Sequence, residues 1–247
     1  MPRSTMVPRA PQLFLFMCAF VGALVLPGRS SLLPSLKIIN DRASFEVILA
    51  SASPRRRDLL QQIGLTNVKA VPSKFKEDLD KSTFRSPADY CAATSKAKAM
   101  DLVSSGAVQP DLDRHLLIIS ADTIVVYGCH DEVLEKPRDE EDARRMLGML
   151  SGKQHSVFTA VTVLSSPRGS TEISTACEFV ESSQVRFVEL GIEDIDSYIV
   201  SREPFDKAGS YGIQGAGSLF VRSISGCYFN VMGLPLSKLS SEIAKIV

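Results

Sequence analysis

Ser51-Ala52-Ser53-Pro54-Arg55-Arg56-Arg57-Asp58-Leu59-Leu60 is the stretch from which the fold can be read. Val47-Ile48-Leu49-Ala50 leads into it as a short apolar run, the pattern of a buried strand. Ser53 suits an N-cap and Pro54 the first helical position, where a missing N–H costs nothing. Leu59, Leu60 and Ile63 continue as an apolar helical stripe that Gly64 can end. The charges break this pattern. Arg55, Arg56 and Arg57 fill the first turn, where the helix dipole disfavours cations by roughly 0.3–1 kcal/mol each. An anion at that helix start reverses the balance, since free N–H groups and guanidinium forks would converge on it. Three solvated arginines beside surface acids are the plainer alternative.

The rest of the chain limits what such a site can be. Of 247 residues, 45% are hydrophobic and 23% charged, with 28 basic and 28 acidic side chains, so anion binding must come from local clusters rather than a global field. The five cysteines and three histidines show no ligand spacing, which argues against structural zinc. Residues 1–44 read as a leader outside the fold: no acid precedes Asp41, and an apolar run of 14 residues spans Leu13–Leu26. That run is short for a membrane span but fits a secretory signal, while the Arg- and Ser-bearing composition fits an organellar presequence.

Further stretches suggest functional positions. Ser73 to Lys81 is a charged loop with the length of an active-site flap. Ser86-Pro87-Ala88-Asp89 opens a helix to about Val103 with a cap, a first-turn proline and an acid. Lys96 lies in its row Ala92–Lys96–Met100, either snorkelling or aimed into a cleft. Leu116–Ile119 reads as a buried strand ending near Ser120-Ala121-Asp122-Thr123, before Ile124–Tyr127. A carboxylate between two apolar runs is costly to bury unless paired or metal-bound, which makes Asp122 a site candidate, with a turn aspartate as the alternative. Lys136 precedes a helix capped by Asp139. Between Glu203 and Gly217, Gly209, Gly212, Gly215 and Gly217 allow the backbone to approach a ligand, and Gln214 can read a base edge.

Together these blocks resemble the Maf family of nucleoside triphosphate pyrophosphatases. The resemblance is carried by Ser51–Arg56, Ala121-Asp122-Thr123, Glu135-Lys136-Pro137, Asp206–Gly209 with Tyr211–Gln214, and Asn230-Val231 with Gly233-Leu234-Pro235. It runs from about residue 46 to the C-terminus. The loop Val71–Glu77 further resembles the Maf-like domain that animals fuse to an acetylserotonin methyltransferase-like domain, for which this chain has no room. The resemblance implies an α/β fold, a mixed twisted sheet with flanking helices around a deep cleft, over residues 45–247. It implies hydrolysis of the α–β phosphoanhydride, with Mg²⁺ or Mn²⁺ as cofactor.

By the same resemblance, Asp122 is the catalytic base or a metal ligand. Ser51, Arg55, Arg56, Lys96 and Lys136 hold substrate, and Glu77 is a metal ligand. Arg55, Thr123 and Gln214 match the positions that mark the dTTP/UTP branch, rather than the branch acting on 7-methyl-GTP and CTP. Cys227 and Ala160 depart from the family pattern, where an acid and a glycine are usual. A nucleotide-sensing regulator without turnover could dispense with Asp122 and Glu77. The expected partners are a nucleoside triphosphate and a second copy of the chain, with no nucleic acid or stable membrane partner, in the cytoplasm or wherever residues 1–44 direct the domain.

Overall fold

The computed structural model describes residues 33–128 and 131–247, so Leu13–Leu26 lies outside the described residues. Helix α1 (Pro34–Ile39) precedes strand β1 (Phe45–Leu49), helix α2 (Pro54–Gln62), strand β2 (Val68–Ala70) and helix α3 (Pro87–Ser104). Strands β3 (His115–Tyr127) and β4 (Glu132–Leu134) follow, then helix α4 (Glu140–Leu150) and strands β5 (Gln154–Ser166) and β6 (Ser174–Phe187). Helix α5 (Ile192–Val200), strand β7 (Val221–Ser225), helix α6 (Tyr228–Met232) and helix α7 (Leu236–Ile246) complete the chain. The sheet is mixed, ordered β2-β1-β3-β5-β6-β7, with β4 hydrogen-bonded to β3 off that path. β1 runs parallel to β2 and β3, and the other pairings are antiparallel. The expected α/β class and mixed sheet are therefore found.

β3 carries the architecture. Its alternating side chains face opposite sides of the sheet. Leu117, Ile119 and Ala121 join α1, α2 and α7 in one core, while Leu116 and Ile118 pack with Ala99 and Leu102 of α3. Beyond Ile124 the layer partners change, and Val125 packs with α4, α5, Val185 and Phe187. The β1 ladder ends at Ile119 and the β4 ladder begins at Val125. Among the described residues, Ser120 to Ile124 are thus laddered only to β5, and the other edge of β3 is open.

Two expectations need correction. Asp122 is not at a strand end: β3 runs through it, in register with Ala160. The break visible in sequence is the change of neighbour at that edge. The folded part also starts before residue 45, because Leu36 and Ile39 of α1 are buried in the core. Six helical residues with two inward apolar positions give too weak a periodic signal to separate from the apolar leader.

Candidate active site

The open edge of β3 borders a cleft of about 810 Å³, lined among others by Ser51, Arg55, Arg56, Glu77, Lys98, Asp122, Thr123, Lys136 and Gln214. α2 supplies the first wall. Ser53 takes the extended N-cap backbone, but its side chain makes no capping bond, so the expected serine cap is absent. The first-turn N–H groups are left to whatever enters the cleft. Of the three arginines, Arg55 and Arg56 line the cleft, whereas Arg57 is exposed outside it.

Arg56 is held on neutral oxygens only. Its Nε donates to Gly233 O at 2.8 Å, Nη1 to Ser51 Oγ at 3.1 Å and Nη2 to Thr123 Oγ1 at 3.0 Å. Both Nη atoms keep a further N–H for a ligand. Burial lowers the guanidinium pKa and Asp122's charge opposes that shift. The Thr123 hydroxyl sits 3.0 Å from Thr159 Oγ1, which donates to Asn230 O at 2.9 Å. Thr159 has only one hydroxyl proton, so Thr123 must donate to Thr159 and accept from Arg56. The polarity of the chain Arg56–Thr123–Thr159–Asn230 is thereby fixed.

On the opposite face of β3, Asp122 is 5% exposed. Lys98 Nζ lies 2.7 Å from Asp122 Oδ1 and 3.0 Å from Glu77 Oε1. Lys136 Nζ is 3.8 Å from the same Glu77 oxygen. The loop that carries Glu77 is pinned to α3: Ser73 Oγ and the Lys74 N–H both donate to Asp101 Oδ2, each at 2.8 Å. Cys91 lies under Asp122, with Sγ 3.4 Å from the Asp122 carbonyl oxygen, and burial drives its thiol pKa up.

The structure brings Ser51, Arg55, Arg56, Glu77, Asp122, Thr123, Lys136 and Gln214 to one cleft. It does not bring Lys96 there. Lys96 is exposed and pairs with Glu178 at 3.1 Å. Two residues further on, about 200° around the helix, Lys98 takes the inward position. The α3 stripe is Tyr90, Cys91, Thr94, Ser95, Lys98, Ala99 and Leu102, whose small and polar members hide its helical period. The glycine-rich stretch also differs from expectation. Its close approaches are to the chain's own Val125, Glu203, Lys207 and Tyr198 side chains. Asp206, within a matching block but without an expected role, binds both cations beside it: its carboxylate takes Arg55 Nη1 at 2.7 Å and Lys207 Nζ at 2.6 Å. Burial raises the Asp206 pKa, but the bonds from Lys207 and Arg55 outweigh it and lower the value overall.

Glu77 and Asp122 approach one point, marked by Lys98 Nζ, from different elements. Each carboxylate keeps a second oxygen that Lys98 does not bond, and Mg²⁺ sites use one or two carboxylates plus substrate phosphates. No group of three or more His, Cys, Asp or Glu suited to a metal occurs among the described residues. The donor set fits an ion shared with a phosphate better than one caged by protein alone.

An open strand edge, a helix start with free donors, an arginine held on neutral oxygens and a buried acid–lysine pair define an anion-binding α/β cleft with hydrolytic groups. The chain belongs to the Maf family: the description "Maf-like protein" matches residues 46–246. It is 45% identical over 201 residues to the Homo sapiens "Probable bifunctional dTTP/UTP pyrophosphatase/methyltransferase protein", covering 81% of this chain but 32% of that protein. It is 44% identical to the "dTTP/UTP pyrophosphatase" of Agathobacter rectalis, covering 81% of this chain and 97% of the relative. The protein of the same name from Carboxydothermus hydrogenoformans is 42% identical, with coverage of 80% and 97%. Among solved structures, a HAM1 protein from Coxiella burnetii aligns over 82% of this chain and 99% of its own at 11% identity, with a TM-score of 0.41.

Proposed function

We propose that this chain hydrolyses dTTP and UTP to the nucleoside monophosphate and pyrophosphate, clearing these and modified pyrimidine nucleotides from the pool. The observation that carries the reading is the Asp122–Lys98 pair on one face of the open β3 edge, with Arg56 on the other. Relatives with this activity in their names match the chain over nearly their whole length.

In this reading a water adds to the α-phosphorus, the bond from it to the α–β bridging oxygen breaks, and pyrophosphate leaves. Asp122 takes the proton of that water. Arg55, Arg56 and the open N–H groups of α2 hold phosphate oxygens and offset charge in the transition state. Ser51 keeps Arg56 oriented. Lys136, which lines the same cleft beside Glu77, would hold the same phosphate chain. Lys98 fixes Asp122 and Glu77 against each other. Glu77 and Asp122 would hold Mg²⁺ or Mn²⁺, which supplies charge neutralisation and a more acidic water when bound. Gln214 reads the pyrimidine edge.

A regulator without turnover would need the cations but not a carboxylate kept at such cost on the cleft floor. The enzyme would work in the cytoplasm or in another compartment with a nucleotide pool. No helix among the described residues is long and apolar enough to cross a membrane. The reading includes a homodimer and no nucleic-acid partner. A pyrophosphate-release assay across a nucleotide panel with Mg²⁺ or Mn²⁺ tests it. Orthophosphate and a diphosphate as products would overturn the reaction, and stronger turnover of CTP or 7-methyl-GTP would move the chain to the other branch.

A further inference from the structure

Glu203 lies outside the cleft lining, yet the glycine-rich loop that carries Gln214 is built around it. Its Oε2 accepts the Ala216 N–H at 2.9 Å, and its Oε1 accepts the Gly217 N–H at 3.4 Å and the Tyr198 hydroxyl at 2.9 Å. Tyr198 Oη in turn accepts the Gly212 N–H at 3.0 Å. Backbone donors on both sides of Gln214 therefore end on one carboxylate or on the tyrosine bonded to it. The glycines fit this arrangement. A Cβ on Gly215 would run into the Glu203 carboxylate. One on Gly212 would come 2.9 Å from Glu203 Oε1 and 2.5 Å from Lys207 Cε, and one on Gly217 would come 2.7 Å from Tyr198 Oη. Lys207 Nζ also donates to the Glu203 carbonyl at 2.6 Å and to Asp206, which binds Arg55.

We propose that Glu203, with Tyr198, is the positioning residue for nucleobase selection: it shapes loop 211–217 so that the Gln214 amide is presented to a pyrimidine edge. The inference rests on the reading that Gln214 meets the base. A carboxylate is acceptor-only and suits three converging donors, whereas a carboxamide of the same size turns one oxygen into a donor that faces another donor. Glu203→Gln keeps volume and breaks the template. Asp122, Lys98 and Arg56 lie on other elements and do not touch Glu203.

The experiment compares the full chain with Glu203→Gln and Tyr198→Phe, measuring kcat and KM for UTP, CTP and GTP. Inhibition by inorganic tripolyphosphate, which has no base, is measured beside them. In Glu203→Gln, KM for UTP rises roughly tenfold, about what one or two lost hydrogen bonds contribute. Its kcat and its inhibition by tripolyphosphate stay near wild type, and the preference for UTP over GTP shrinks. Tyr198→Phe, which keeps the carboxylate and its two backbone donors but removes the hydroxyl between Glu203 and the Gly212 N–H, moves the same way by less. Wild-type base preference in both variants, or equal loss of tripolyphosphate binding, overturns the inference while leaving the pyrophosphatase reading intact. A wild-type chain that releases no pyrophosphate from any nucleotide overturns that reading and the inference with it.

Discussion

Lys98 Nζ stands 2.7 Å from Asp122 Oδ1 and 3.0 Å from Glu77 Oε1, so one ammonium joins α3, β3 and the loop after β2. Its side chain is 11% exposed and that of Asp122 7% exposed. Both charges depend on each other, since removing one partner strands the other in a poorly solvated place.

Lys98→Met is therefore expected to lower stability by about 3–5 kcal/mol, the usual effect of breaking a buried pair, and to abolish most turnover. Lys96→Met breaks an exposed pair with Glu178 and should change stability by less than about 1 kcal/mol, with turnover retained. Urea denaturation and a pyrophosphate-release assay on both variants check this. An inactive Lys96→Met beside an active Lys98→Met would return the role to Lys96.

Asp122→Asn keeps the side chain's shape and removes its charge. Turnover should fall by roughly 10²–10⁴, the range for loss of a general base. Nucleotide affinity measured without divalent metal should change far less, because the phosphate donors lie on α2 and at Lys136. Single-turnover kinetics beside equilibrium nucleotide binding separates the two effects, and near-normal turnover would remove Asp122 from the chemistry.

How far the sequence disclosed this site depended on how each residue signals itself. Arg55, Arg56 and Asp122 stood out because each violates a local rule, cations at a helix start and an acid between apolar runs. Lys98 gave no such signal. Its neighbours in the α3 stripe, Cys91, Thr94, Ser95 and Ala99, carry little hydropathic contrast, whereas Met100, in the row of Lys96, is apolar yet 44% exposed. Glu203 was illegible for another reason: its partners are backbone N–H groups, and their convergence exists only in the folded loop. The strand order was hidden as well, since whether β3 stops or merely changes neighbour at Asp122 is decided by β1 and β4.

His155 links stability to pH. It is buried between Phe187 and Tyr211, with Nε2 2.9 Å from Tyr211 Oη, and burial lowers its pKa from 6.5 to about 4. The unfolded chain binds the proton more readily. The neutral ring thus contributes its full stabilisation above about pH 6.5, and this is lost as pH falls toward 4. The loss amounts to about 3 kcal/mol over that window. Urea midpoints at pH 7 and pH 4.5 should show the drop, and His155→Phe should flatten it. An equal drop in the variant would place the linkage elsewhere.

The last prediction concerns where the domain begins. Leu36 is 4% exposed and Ile39 fully buried, both in the core shared with α2 and α7. Asn40 Oδ1 accepts the N–H groups of Thr66 and Asn67 at 2.9 and 2.8 Å, and its Nδ2 donates to Gly64 O at 3.2 Å. Residues 33–44 thus fill the core on one side and tie down the α2–β2 connection on the other. A fragment of residues 45–247 loses both. Each buried Leu or Ile removed costs about 2–5 kcal/mol, against a total stability of about 5–15 kcal/mol. That fragment should melt about 10 °C or more below residues 33–247, since 1 kcal/mol moves a domain of this size by about 2–4 °C. The cleft residues all lie after Leu49, so the shorter fragment should keep turnover at low temperature and lose it first on heating. Thermal melts and turnover of the two fragments, run side by side, decide the boundary. Coincident melting would mean that α1 rests on the core without stabilising it.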